Sequence, residues 1–175
     1  MRSIQSWRSV TQTPSARFLS ILQTLAEYSV EFILVGGVAG VIHGAPVTTF
    51  DVDIVHRRTS SNIAKLLAAL THLNASYRHA GGRQLRPSES HLTGPGHQLL
   101  MTRLGPLDVL GMIGANHAYE DLIGDAELMQ LSPDLSVQVI SLPLLIQTKV
   151  EVGQPKDQAI LDILRETLRS KQQSL

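Results

Sequence analysis

Residues Val35 to Ile54 read VGGVAGVIHGAPVTTFDVDI, and the choice of fold turns on this stretch. An apolar run, Glu31 to Val35 (EFILV), leads into it and predicts a buried strand that stops at Gly36-Gly37. Val38 to His43 is small and apolar, which predicts a short helix leading to Gly44, with Pro46 in the turn that follows. From Phe50 to Val55 the side chains alternate. Phe50, Val52 and Ile54 leave one side of an extended strand; Asp51, Asp53 and Val55 leave the other. Two residues along a strand span about 6.6 Å, so both carboxylates can reach one divalent ion. Without a cation between them, two ionised carboxylates on one patch repel and push one pKa up. The pair therefore asks for Mg²⁺ or Mn²⁺, hard ions that take oxygen ligands.

Working outward, Ser15 to Tyr28 carries an apolar helical stripe, and Thr59, Ser60 and Ser61 offer caps for a helix reaching Leu73. Asn74 to His97 is rich in Gly, Ser, Arg and His, and is expected to be a long loop or irregular hairpin with weak strand character at Ser76 to Arg78. Gln98 to Arg103 and Pro106 to Met112 predict two strands, or one bent at Gly105, and Leu135 to Ile140 another. Ser141 can cap a helix beginning at Leu142-Pro143, and Asp157 to Arg169 is a last amphipathic helix. Strands mixed with helices in no regular alternation imply an α/β or α+β mixed sheet flanked by helices. We expect one domain over residues 14–175, behind a loose N-terminal segment at 1–13.

The 175 residues are 43% hydrophobic, enough for one compact domain and too few for two. Fifteen basic and fifteen acidic groups cancel, so no global field draws in nucleic acid, and any such binding needs a local patch. The absence of cysteine removes disulfides, thiolate nucleophiles and thiolate zinc sites. The seven histidines show no H-x-x-x-H or H-E-x-x-H spacing, so zinc is not expected. No apolar run of about eighteen residues occurs, so no membrane span is expected. Arg2, Arg8 and Arg17 precede the first acid, Glu27, faintly like an organelle leader, but no apolar core or cleavage signal accompanies them; a cytoplasmic protein is the expectation.

A third acid, Asp108, sits inside the apolar strand Leu107-Asp108-Val109-Leu110, where an unpaired carboxylate would be costly if buried. If that strand neighbours the D-x-D strand, about 4.8 Å away, three carboxylates converge. Such a set can hold two metal ions that clamp the attacking and leaving oxygens of a phosphoryl or nucleotidyl transfer. Gly36-Gly37 leaves the backbone open to a phosphate. It is not a dinucleotide fingerprint, no Walker lysine follows, and Val55 and Arg57 exclude an EF-hand loop.

In order along the chain, Gly36-Gly37, Thr49-Phe50-Asp51-Val52-Asp53-Ile54, Gly105-Pro106-Leu107-Asp108-Val109-Leu110 and Lys149 followed by Lys156-Asp157 resemble the nucleotidyltransferase superfamily that includes DNA polymerase beta. The resemblance is strongest to its small bacterial members related to the AbiEii-type toxins, and covers about residues 30–165. It implies that Asp51 and Asp53 bind catalytic Mg²⁺ or Mn²⁺, with Asp108 the third ligand or the base for the acceptor hydroxyl. It further implies that Gly36, Gly37 and Thr49 bind the NTP, that Lys149 offsets phosphate charge, and that the acceptor is RNA, protein or a small molecule, with an antitoxin as a possible partner. Relatives often carry Arg where this chain has Val47 and Gln154. Those two positions support a second reading, a catalytically weak partner-binding subunit of a toxin–antitoxin-like module. A metal phosphohydrolase fits the three acids but explains the glycine motif less well. His43 could touch the nucleotide or make a structural hydrogen bond. The basic stretch holding Arg78, His79, Arg83, Arg86, His91 and His97 could bind phosphates, or be a solvated loop.

Overall fold

The computed structural model describes residues 16–174; the segment expected to be loose at 1–13 lies outside them. Helix α1 (Ala16–Glu27) leads through a tight turn into β1 (Phe32–Val35), and α2 (Gly36–Ile42) begins on the next residue. Strand β2 (Val52–His56) is followed by α3 (Ser60–His72), whose first turn is capped by the Thr59 hydroxyl accepting from Asn62 N. Then come β3 (Ser76–Tyr77), α4 (Glu89–Thr93), β4 (His97–Thr102), β5 (Gly105–Leu110), α5 (Tyr119–Leu122), β6 (Ala126–Ser132), β7 (Leu135–Ile140), α6 (Leu142–Val152) and α7 (Gln158–Gln173).

The strands form one mixed sheet in the order β3-β4-β5-β2-β1-β7-β6. β1 runs antiparallel to β2 and parallel to β7, while β2 runs parallel to β5. Helix α1 packs on α3, β5 and β7, whereas α2 packs on β1 and β2 and is joined by α6, which in turn packs on α7. Ile21, Leu22, Leu25, Ile33, Leu34, Ile54, Ile63 and Leu66 are wholly buried in the core between these elements. No described helix is long and apolar enough to cross a membrane.

Several expectations change, the first being that the stretch 74–97, expected to be a loop or irregular hairpin, also holds helix α4. The D-x-D strand begins at Val52, so Phe50 does not share a strand face with Val52 and Ile54; it is 78% exposed. β6, which no sequence pattern predicts, is an edge strand with both faces partly solvated, so its residues lack a clean apolar alternation. The bent stretch around Gly105 is a hairpin of two antiparallel strands, β4 and β5.

Two buried polar side chains join the layers. Asn62 donates to the carbonyls of Glu31 (2.9 Å) and Arg57 (2.8 Å) and accepts from Glu31 N (2.7 Å), tying α3 to the ends of β1 and β2. His56 contacts the carbonyls of Leu92 (2.8 Å) and Leu110 (3.1 Å), linking α4 to the sheet. Asn62→Ala would leave Glu31 N and the Arg57 carbonyl without this partner, while the Glu31 carbonyl keeps its bond from Arg57 N, so we expect a loss of roughly 2 kcal/mol or more, against about 1 kcal/mol for Thr59→Ala, by urea denaturation. Equal losses would show that the Asn62 bonds hold little.

Candidate active site

The two glycines are required by a close approach of backbone to side chain. Gly36 has φ +65°, and a Cβ placed there would collide with the carboxylate of Asp53. A Cβ at Gly37 would lie 2.6 Å from Thr49 Oγ1 and 2.7 Å from Thr49 Cβ. The start of α2 is thus laid directly against the residues that precede and open β2. Thr49 also donates to the Asp51 carbonyl at 3.2 Å, which shapes the bend delivering Asp51.

Parallel pairing sets Asp53 opposite Asp108, and antiparallel pairing sets Asp108 opposite Leu99. Asp51 lies just before β2 rather than on it, yet one carboxylate oxygen from each of Asp51, Asp53 and Asp108 falls within 4.8 Å of the others. Burial, reinforced by the charges of Asp51 and Asp108, pushes Asp53 up from the ordinary 3.8 to about 7, against the pull of Lys149 and Arg78. Burial also raises Asp108, with the Arg78 guanidinium pulling the other way. Asp108 is ion-paired with Arg78, from the stretch expected to be a solvated loop. The sequence marks Arg78 only as part of a basic stretch and does not bring it to Asp108: that placement follows from β3 pairing with β4, and from Arg78 N donating to Leu99 O at 3.1 Å.

In front of Asp51 and Asp53 lies a cavity of about 450 Å³, also lined by Gly36, Gly37, Thr49, Lys149, Lys156 and the apolar Leu145, Val152 and Ile160. That size suits a small-molecule ligand. Lys149 comes from α6 and pairs with Asp157 at 3.4 Å, so Asp157 is partnered across the cavity rather than by its neighbour Lys156. Val47, where relatives often carry Arg, is a buried wall residue, and Gln154 is exposed. His43 is buried, with Nε2 2.7 Å from Ile140 O and Nδ1 3.3 Å from Lys171 Nζ, a structural arrangement away from the acids. Glu151, unnoticed in sequence, accepts from Ala115 N at 2.8 Å and contacts His117 Nε2 at 2.8 Å, fixing the loop that contributes Ile113 and Gly114 to the cavity wall.

Neither a family model nor a curated protein matches the sequence. The structure is similar to the crystal structure of a "putative nucleotidyltransferase" from Thermotoga maritima, with TM-score 0.58 and 15% identity, over 94% of this chain and 98% of that one. The likeness is one of fold: a nucleotidyltransferase-like mixed sheet flanked by helices.

A carboxyl whose folded pKa is raised keeps its proton longer folded than unfolded, so its destabilising effect is absent below about pH 4, grows to about pH 7 and is then complete. In EDTA, Asp53→Asn should therefore melt with the wild type near pH 4 and above it by pH 7.5, by differential scanning calorimetry. A constant gap across that range would contradict the raised pKa.

Proposed function

We propose that the chain is a metal-dependent nucleotidyltransferase, moving an NMP group from an NTP to an acceptor hydroxyl with loss of pyrophosphate. The observation that carries this reading is the meeting of three carboxylates from β5 and the start of β2 beside a cavity that also receives the glycine backbone and Lys149. Their fit to Mg²⁺ or Mn²⁺ rests on chemistry: the donors are all oxygen, and Asp53 is held near pKa 7 by burial and by two neighbouring acids, a strain that a hard cation relieves. Bound there, such ions would supply Lewis acidity to the attacking and leaving oxygens.

The chain's own residues would act mainly by position and charge. Asp51 and Asp53 would hold metal from the β2 side and Asp108 from β5, with Asp108 the third ligand or the acceptor of the hydroxyl proton. The acceptor oxygen forms a bond to the α-phosphorus as the bond from that phosphorus to the bridging oxygen breaks, and pyrophosphate leaves. Gly36 and Gly37 keep side chains out of the path of the phosphates, the Thr49 hydroxyl borders it, and Lys149 offsets negative charge. Leu145, Val152 and Ile160 offer an apolar wall to the nucleoside. RNA, protein or a small molecule would be the acceptor, and a toxin-type enzyme paired with an antitoxin is the form the sequence resemblance favours.

A second reading, a catalytically weak partner-binding subunit, draws on the cation supply. Val47 and Gln154 bring no charge, and Lys149 is engaged by Asp157.

Calorimetric titration of ATP, CTP, GTP and UTP with Mg²⁺ separates the two. The enzyme reading expects at least one NTP to bind, and Asp51→Asn or Asp53→Asn to weaken it tenfold or more, about 1.4 kcal/mol. Labelled NTP offered with total RNA and lysate protein then identifies the pool that takes label. No binding at millimolar nucleotide would overturn the enzyme reading and leave the partner-binding one.

A further inference from the structure

We propose that Arg78 is a resident counter-cation that occupies Asp108 until a divalent ion takes its place, so that Arg78 sets the metal affinity of the site; this rests on the metal-dependent reading above. Three observations carry it. The Asp108 side chain is only 10% exposed and Arg78 lies against its Oδ1, so the guanidinium covers the carboxyl that would have to open toward metal. Asp51 and Asp53 line the cavity, but Asp108 is not among its walls. And Arg78 Nε is buried with no hydrogen-bond partner, so the guanidinium is held on one side only.

The last observation distinguishes this arginine from a purely structural one. A buried guanidinium kept for stability has its donors satisfied, because an unpaired buried N–H costs free energy. Arg78 instead makes its ion pair with the acid the chemistry needs and leaves another donor empty. Its backbone is pinned to Leu99, the residue paired directly across from Asp108, so displacing the side chain from the carboxyl need not disturb that backbone bond. An arginine and a divalent ion compete for the same carboxylate oxygens, since both are served by the ionised form. Arg78 is thus a positioning residue: it keeps the third carboxylate covered and ordered before metal arrives, at the expense of affinity for that metal.

Mn²⁺ binding, measured by electron paramagnetic resonance on wild type, Arg78→Gln, Arg78→Lys, Asp108→Asn and the double variant Arg78→Gln/Asp108→Asn, tests this, with circular dichroism confirming that each is folded. Arg78→Gln should bind Mn²⁺ about tenfold tighter than wild type, with Arg78→Lys between them. The gain should vanish in the Asp108→Asn background, because a diffuse field effect would persist there and direct competition would not. Mn²⁺ affinity in Arg78→Gln equal to or below wild type, or a gain surviving Asp108→Asn, overturns the proposal while leaving the enzyme reading standing. Absence of Mn²⁺ binding in wild type and Arg78→Gln alike overturns both.

Discussion

Between β2 and β5 the parallel ladder places Asp53 opposite Asp108, and the residues on either side of these acids hold them there. Val52, Ile54, Leu107 and Val109 are all fully buried. A slip of one residue in either strand would turn its apolar pair out of the core and its aspartate into it. Burying an unpaired carboxylate among leucines and isoleucines is far worse than losing a ladder bond. Hydrophobic burial on one face of the sheet therefore fixes carboxylate geometry on the other, and the glycines at the start of α2 complete the arrangement by letting backbone touch Asp53 and Thr49.

The resulting site is electrostatically unsettled. Three acids share a small volume, one of them titrating near neutrality, while the cations close by include an arginine with an empty donor, a lysine engaged by Asp157, and Lys156 on the cavity wall. A fold selected for stability alone would replace such a cluster with apolar residues of similar size. Strongly perturbed carboxyls beside a cavity are the pattern expected where charge is meant to be met by a ligand.

Much of this was legible in the sequence because the informative signals are local. The strand at EFILV, the glycine pair, the Thr59 and Ser141 caps and the strand over Leu135–Ile140 all depend on neighbouring residues, and all appear. The meeting of Asp108 with Asp51 and Asp53 was legible as a condition, namely that their strands be neighbours, and the sheet order meets it. What escaped depends on partners distant in the chain. Arg78 reaches Asp108 only through pairing at the sheet edge, and Glu151 reaches the loop at Ala115 from a helix 36 residues further on. Phe50 falls outside β2 because alternation alone does not say where a strand begins.

The central claim is that Asp51, Asp53 and Asp108 together hold divalent cations beside a nucleotide. A crystal grown with Mn²⁺ and a non-hydrolysable NTP analogue at about pH 7.5, with anomalous data collected for manganese, addresses it most directly. The expected result is anomalous density bonded to oxygens of all three aspartates, with the triphosphate lying along Gly36-Gly37 toward Lys149. Manganese absent from this cluster, or bound with the Asp108 carboxyl turned away from it, would show that the three aspartates do not form one metal site.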